Sequence, residues 1–141
     1  MAIKNTPPVG FFKSFVVEKG GEHKDQLNLK VKGLAPLVDI VRLFALEKGI
    51  NETSTLERIE TLRSRHTMVA EYADDLVLAF DFIMLVRIHN QYEQLRTGRT
   101  PDNFINPNRL GNLEKRSIKE AFHLISTIQA QIIERYKSLI W

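Results

Sequence analysis

The chain has 141 residues, 43% hydrophobic and 26% charged, with a formal net charge of +3 and no cysteine. That length suits one domain with a sizeable core, and the missing cysteines exclude disulfides and thiolate metal sites, as expected of a protein of the reducing cytoplasm. Acids and bases are interspersed, so the sequence pI of about 9.3 does not point to nucleic acid as a partner.

The opening residues, Met1-Ala-Ile-Lys-Asn-Thr-Pro-Pro8, carry no apolar run or cleavage site and do not read as a signal peptide. The most apolar stretch, Leu76 to Ile88, is broken by Asp81 and Arg87 and is too short to cross a bilayer, so no membrane partner is expected. Between Phe11 and Gly33 the chain reads as extended. Leu27, Leu29 and Val31 alternate with Asn28, Lys30 and Lys32, the period of a strand with one wet face. Gly20-Gly21 supplies a turn where positive φ costs little. Two strands alone are marginal in water and need a larger body to lean on.

A first helix is predicted from Leu34 to Lys48, with Pro36 in its first turn and Gly49 at a left-handed cap over which Ile50 folds back. Ser54-Thr-Leu-Glu57 is a capping-box pattern and starts a second helix, Thr55 to Ser64. Tyr72, Leu76, Phe80, Ile83, Val86, Tyr92 and Leu95 recur at helical steps and predict a long third helix, Val69 to Thr97, ended by Gly98. Residues 99–112 hold two prolines and four asparagines without a period, a connection long enough to suggest function. The last helix begins near Leu113, with Ile118, Phe122, Ile125, Ile128, Ile132 and Tyr136 in one stripe. The expected fold is all-α: an antiparallel four-helix bundle over residues 34–141 with an N-terminal extended arm or short hairpin over residues 1–33.

Several constellations can carry chemistry. Asp39 and Arg42 lie one turn apart on an otherwise apolar helix and read either as a polar floor beneath a cleft or as an ion pair fixing helix packing. Glu22-His23-Lys24-Asp25 follows the double glycine, and with Lys30 and Lys32 it reads as a basic strip or as a solvated turn. Arg87, His89, Asn90, Gln91, Glu93 and Gln94 crowd one half of the third helix, as a groove lining or a solvated face. His23 has no second ligand at metal spacing, and Asp74-Asp75 suits the start of a helix without further purpose. No Asp-x-Asp strand motif, P-loop, GxGxxG, GxSxG or HExxH occurs, so a self-contained enzyme is not expected. Arg116 and His123 are two turns apart on the last helix, loosely similar to the ribonuclease motif of the HEPN helical bundles.

Residues Phe11–Leu62 and Ala70–Phe122 together resemble the nucleotidyltransferase substrate-binding domain family, the C-terminal family of domain of unknown function 294. The resemblance runs from about Phe11 to Tyr136. Matching positions are His23, Lys24, Leu29, Lys30, Gly33, Pro36, Asp39 and Arg42, then Thr55, Glu57, Arg58, Arg87, His89 and Gln94, then Asp102, Asn103, Glu114, Arg116 and Lys119. His123 is outside the family pattern.

The resemblance implies an acceptor-binding role in bacterial signalling. A catalytic domain similar to the uridylyltransferases of PII-type regulators would lie upstream and carry Mg and the nucleoside triphosphate; no cofactor is expected on this chain. The residues it implies for substrate binding are His23, Lys24, Lys30, Asp39, Arg42, Arg58, Arg87 and Gln94, facing an acceptor of unknown kind. The alternatives are a dimerisation module pairing through the last helix and its end Leu139-Ile140-Trp141, and the ribonuclease of Arg116 and His123.

Overall fold

The computed structural model describes residues 17–65 and 68–140. Residues 1–16 of the expected arm, and the side chains of Leu139, Ile140 and Trp141, lie outside the described residues. Four helices dominate: α1 Ala35–Glu47, α2 Thr55–Ser64, α3 Met68–Arg96 and α4 Asn112–Ile140. Two short strands, β1 Leu27–Asn28 and β2 Phe104–Ile105, complete the fold. The helix bounds agree with the periodicity to within one residue where both ends were predicted, and the class is all-α as expected. α3 packs against α2 and α4, and α1 touches all three.

Helix ends follow local chemistry. At Gly49 (φ 66°) the Gly49 N–H donates to the Leu46 carbonyl at 3.2 Å and the Ile50 N–H to the Ala45 carbonyl at 2.9 Å. Gly98 (φ 76°) repeats this, with its N–H on Leu95 O at 3.1 Å and the Arg99 N–H on Gln94 O at 2.8 Å. Both are Schellman closures, which need the left-handed conformation that glycine adopts without steric cost. Ser54 does stand at the head of α2, but its side chain makes no capping bond. Instead the Arg58 side chain crosses back, its Nε donating to the Glu52 carbonyl at 2.7 Å.

The arm differs from the alternation. The Glu18 N–H donates to Gln26 O at 3.0 Å and the Asp25 N–H to Glu18 O at 2.7 Å, closing a turn around Gly21 (φ 80°). β1 then pairs antiparallel with β2, Leu27 opposite Ile105 and Asn28 opposite Phe104. The partner strand therefore comes from the loop before α4. Strand character stops at Asn28, which faces Phe104, the first residue of β2; beyond it one bond remains, from the Leu29 N–H to the Asn103 carbonyl at 2.9 Å. A π-helical turn, Lys30–Leu34, comes next and runs into α1; the Asn28 Oδ1 accepts the Val31 N–H at 3.0 Å at its start. Helical rotation turns Val31 outward, 41% exposed, where a strand would have buried it. Lys30 thus sits on a helical turn rather than on the wet face of a strand.

Leu27 and Leu29 are buried in the same core as Leu37, Phe44, Ile59, Leu76, Ile83, Phe122 and Ile125. Each large apolar side chain taken fully from water contributes roughly 1.5–3 kcal/mol. The α4 stripe is as predicted, from Ile118 through Ile132. The α3 stripe is not: Leu76, Ile83 and Val86 are buried, but Tyr92 and Leu95 are 60% and 63% exposed. Beyond Val86 the inward face of α3 passes through Asn90 to Gln94, because its neighbour there is a polar loop and not a helix.

Candidate functional site

The C-terminal half of α3 holds the loop after it. Gln94 Nε2 donates to Asp102 Oδ1 at 2.7 Å while Gln94 Oε1 accepts the Asp102 N–H at 2.9 Å. Asn90 Nδ2 donates to the Phe104 carbonyl at 2.9 Å, and Gln91 Nε2 to the Asp102 carbonyl at 3.2 Å. Arg87 Nε donates to Asn103 Oδ1 at 2.5 Å. Asp102 Oδ1 also accepts the Phe104 N–H at 3.0 Å, and the Asn103 carbonyl accepts the Leu29 N–H at 2.9 Å. Loop backbone drawn against a core must find partners for its polar groups, and this helix supplies them at successive turns. Gln94 is only 5% exposed, so these bonds are shielded from water.

The clasp fixes Phe104, and Phe104 fixes His23. The two rings stack with centroids 3.6 Å apart and planes 4° from parallel. His23 Nδ1 is 3.0 Å from Gln26 Oε1. An amide oxygen only accepts, so this contact fits the tautomer with its proton on Nδ1, in which Nε2 is an acceptor.

The stack forms one wall of a cleft of about 930 Å³. His89, Glu93 and Arg96 line it from α3; Thr97, Arg99, Thr100 and Arg109 line it from the loop, and Glu114 from the start of α4. Arg96 bonds Glu93 at 2.6 Å, which holds the Glu93 carboxyl below the usual carboxylate range and raises the Arg96 guanidinium, though both are solvent-screened. Arg99 Nε donates to Thr97 Oγ1 at 3.3 Å. Arg109 makes no side-chain hydrogen bond among the described residues. The cleft thus offers guanidinium donors at its rim and an imidazole acceptor on its wall, a set suited to a polar ligand with anionic and hydroxyl groups. Among the described residues no cluster of three or more His, Cys, Asp or Glu is placed to hold a metal, and no helix is long and apolar enough to cross a membrane.

The family model described as "Putative nucleotidyltransferase substrate binding domain" matches residues 1–136. The chain belongs to this family. No curated protein and no solved structure matches it.

Within this substrate-binding domain the expected residues do not gather at one place. His23 and Gln94 line the cleft, Gln94 with its amide committed to Asp102. Arg87 stands behind the cleft wall, holding Asn103. Lys24 and Lys30 are exposed and do not line the cleft. Asp39 and Arg42 pair with each other at 3.7 Å on α1, and Arg58 braces the head of α2. The sequence did not single out Phe104, Arg99 or Arg109. The aperiodic stretch 99–112 marked their segment, but spacing carries no sign of which loop residues turn inward. Arg116 and His123 line a second groove of about 670 Å³ between α3 and α4, with Tyr72, Phe82 and Leu124.

Proposed function

We propose that this chain is the acceptor-binding module of a nucleotidyltransferase acting in bacterial signalling, and that the acceptor sits in the His23–Phe104 cleft. The catalytic carboxylates, Mg and the nucleoside triphosphate belong to a separate domain similar to those of the PII uridylyltransferases. The single observation carrying this reading is the aromatic stack: an imidazole held by Gln26 and Phe104 at the wall of a cleft with a guanidinium rim.

The chain's contribution is positioning. His23 Nε2 accepts a hydrogen bond from the acceptor's hydroxyl, and Arg99 and Arg109 hold its anionic end. Fixing the nucleophile in line with the α-phosphorus removes entropy that a bimolecular encounter would otherwise lose in the transition state. The clasp of Arg87, Asn90, Gln91 and Gln94 acts at one remove, by keeping Phe104 in place.

The test uses the protein together with its catalytic domain and α-phosphate-labelled nucleoside triphosphates, with fractionated cell extract as acceptor source. Arg109→Ala and His23→Phe should each lower transfer about tenfold or more, the scale of one lost charge-assisted or buried hydrogen bond. Lys30→Ala and Arg42→Ala should leave it within about twofold. Transfer unchanged by the first pair would remove the cleft from the reaction.

A further inference from the structure

α3 is 29 residues long, and its outer side carries an apolar seam that no other described residue covers. Leu78, Leu85, Ile88, Tyr92 and Leu95 are 67%, 64%, 55%, 60% and 63% exposed. With Asp81 they fall at alternating steps of three and four, the spacing of coiled-coil a and d positions: 78, 85 and 92 as a, 81, 88 and 95 as d. Isolated exposed leucines are ordinary, but five large side chains in one row, broken only by Asp81, are not.

We infer that this seam pairs antiparallel with the same seam of a second copy of the chain. The register is self-complementary. Across a two-fold axis between Val86 and Arg87, Leu78 meets the partner's Leu95, Leu85 meets the partner's Ile88, and Asp81 meets the partner's Tyr92. Every a position then faces a d position, as antiparallel helix pairs require, and the one acid in the seam faces the one phenol, whose O–H donates to it.

Charge runs the same way. From Met68 to Phe82, α3 holds Glu71, Asp74, Asp75 and Asp81 and no base. From Ile83 to Arg96 it holds Arg87 and Arg96 against Glu93, with Arg99 just beyond. Antiparallel pairing sets the acidic half of each helix against the basic half of the other, and parallel pairing sets like against like. The five side chains offer on the order of 600 Å² of surface, against about 800 Å² per partner in a standard interface, with Phe82 and Leu124 of the adjoining groove to widen it. This interface lies on α3, whereas the sequence pointed to the stripe of α4, which is spent on the core.

Sedimentation equilibrium on the chain tests the inference. The expected mass is twice 16.3 kDa. A Leu85→Glu, Ile88→Glu variant should weaken association about a hundredfold or more while keeping its helical circular dichroism, since both side chains are exposed in the monomer. Because the chain has no cysteine, single thiols report the register. Leu78→Cys chains mixed with Leu95→Cys chains should form a mixed disulfide, and Leu78→Cys alone should not. A monomeric chain, or a dimer untouched by the double glutamate, would overturn the seam; self-linking of Leu78→Cys would overturn its antiparallel sense.

Discussion

Gln94 and Asp102 hold each other twice: the Gln94 amide nitrogen donates to the Asp102 carboxylate at 2.7 Å, and its oxygen accepts the Asp102 backbone N–H at 2.9 Å. The glutamine is 5% exposed, so no water replaces it freely. Gln94→Ala should cost about 2–3 kcal/mol in urea unfolding, because it strands the Asp102 N–H and leaves the Asp102 carboxylate with the Phe104 N–H alone. The amides of residues 102–104 should lose hydrogen-exchange protection before the helices do. Gln94→Glu keeps the shape but sets a second carboxylate against Asp102, and should cost more at neutral pH than at pH 4. Equal loss of protection throughout the fold would contradict the clasp.

Gly33 lies in the π-helical turn beneath Phe122. A Cβ there would stand 2.8 Å from the Phe122 ring, which is fully buried and has nowhere to retreat. Gly33→Ala should therefore destabilise by about 1–3 kcal/mol despite alanine's better helix propensity. Adding Phe122→Leu should recover part of that loss, so the two substitutions should be non-additive in a double-mutant cycle. Strict additivity would show that the close approach is harmless.

Glu47 of α1 receives both Arg135 and Tyr136 of α4, the tyrosine hydroxyl donating at 3.1 Å. Burial, and then the Glu47 bond, raise the Tyr136 phenol above its ordinary value. The neutral phenol is the form the fold favours, so the unfolded chain loses this proton first as pH climbs. The stabilising contribution is complete below about pH 10 and disappears as pH rises through the raised folded value. Absorbance titration should show a late tyrosine, and Tyr136→Phe should remove it. The variant should also lose less stability than the parent between pH 9 and pH 11.

Asp39 and Arg42 stand 3.7 Å apart with the arginine side chain 45% exposed. A double-mutant cycle to alanine should give a coupling of no more than about 0.5 kcal/mol, falling with salt, as for other solvated pairs. A coupling of several kcal/mol would mean that the pair is shielded from solvent.

Helix positions, class and family were legible in the chain because each rests on local information. Apolar residues at steps of three and four, glycine after a helix end and motif order need no knowledge of what packs where. Gly49 and Gly98 stop their helices for reasons carried in their own backbone. Features that arise from contact between distant segments were not legible. Leu29 and Val31 alternate like a strand, but β2 supplies a partner only as far as Asn28, so the chain coils instead. Arg87, Asn90 and Gln94 share a face, yet only the folded-back loop turns that face from a binding surface into a brace. Tyr92 and Leu95 carry the period of a core helix, and they stand in water because no described helix packs over them. Periodicity fixes which residues share a side of an element; the tertiary structure alone decides what that side meets.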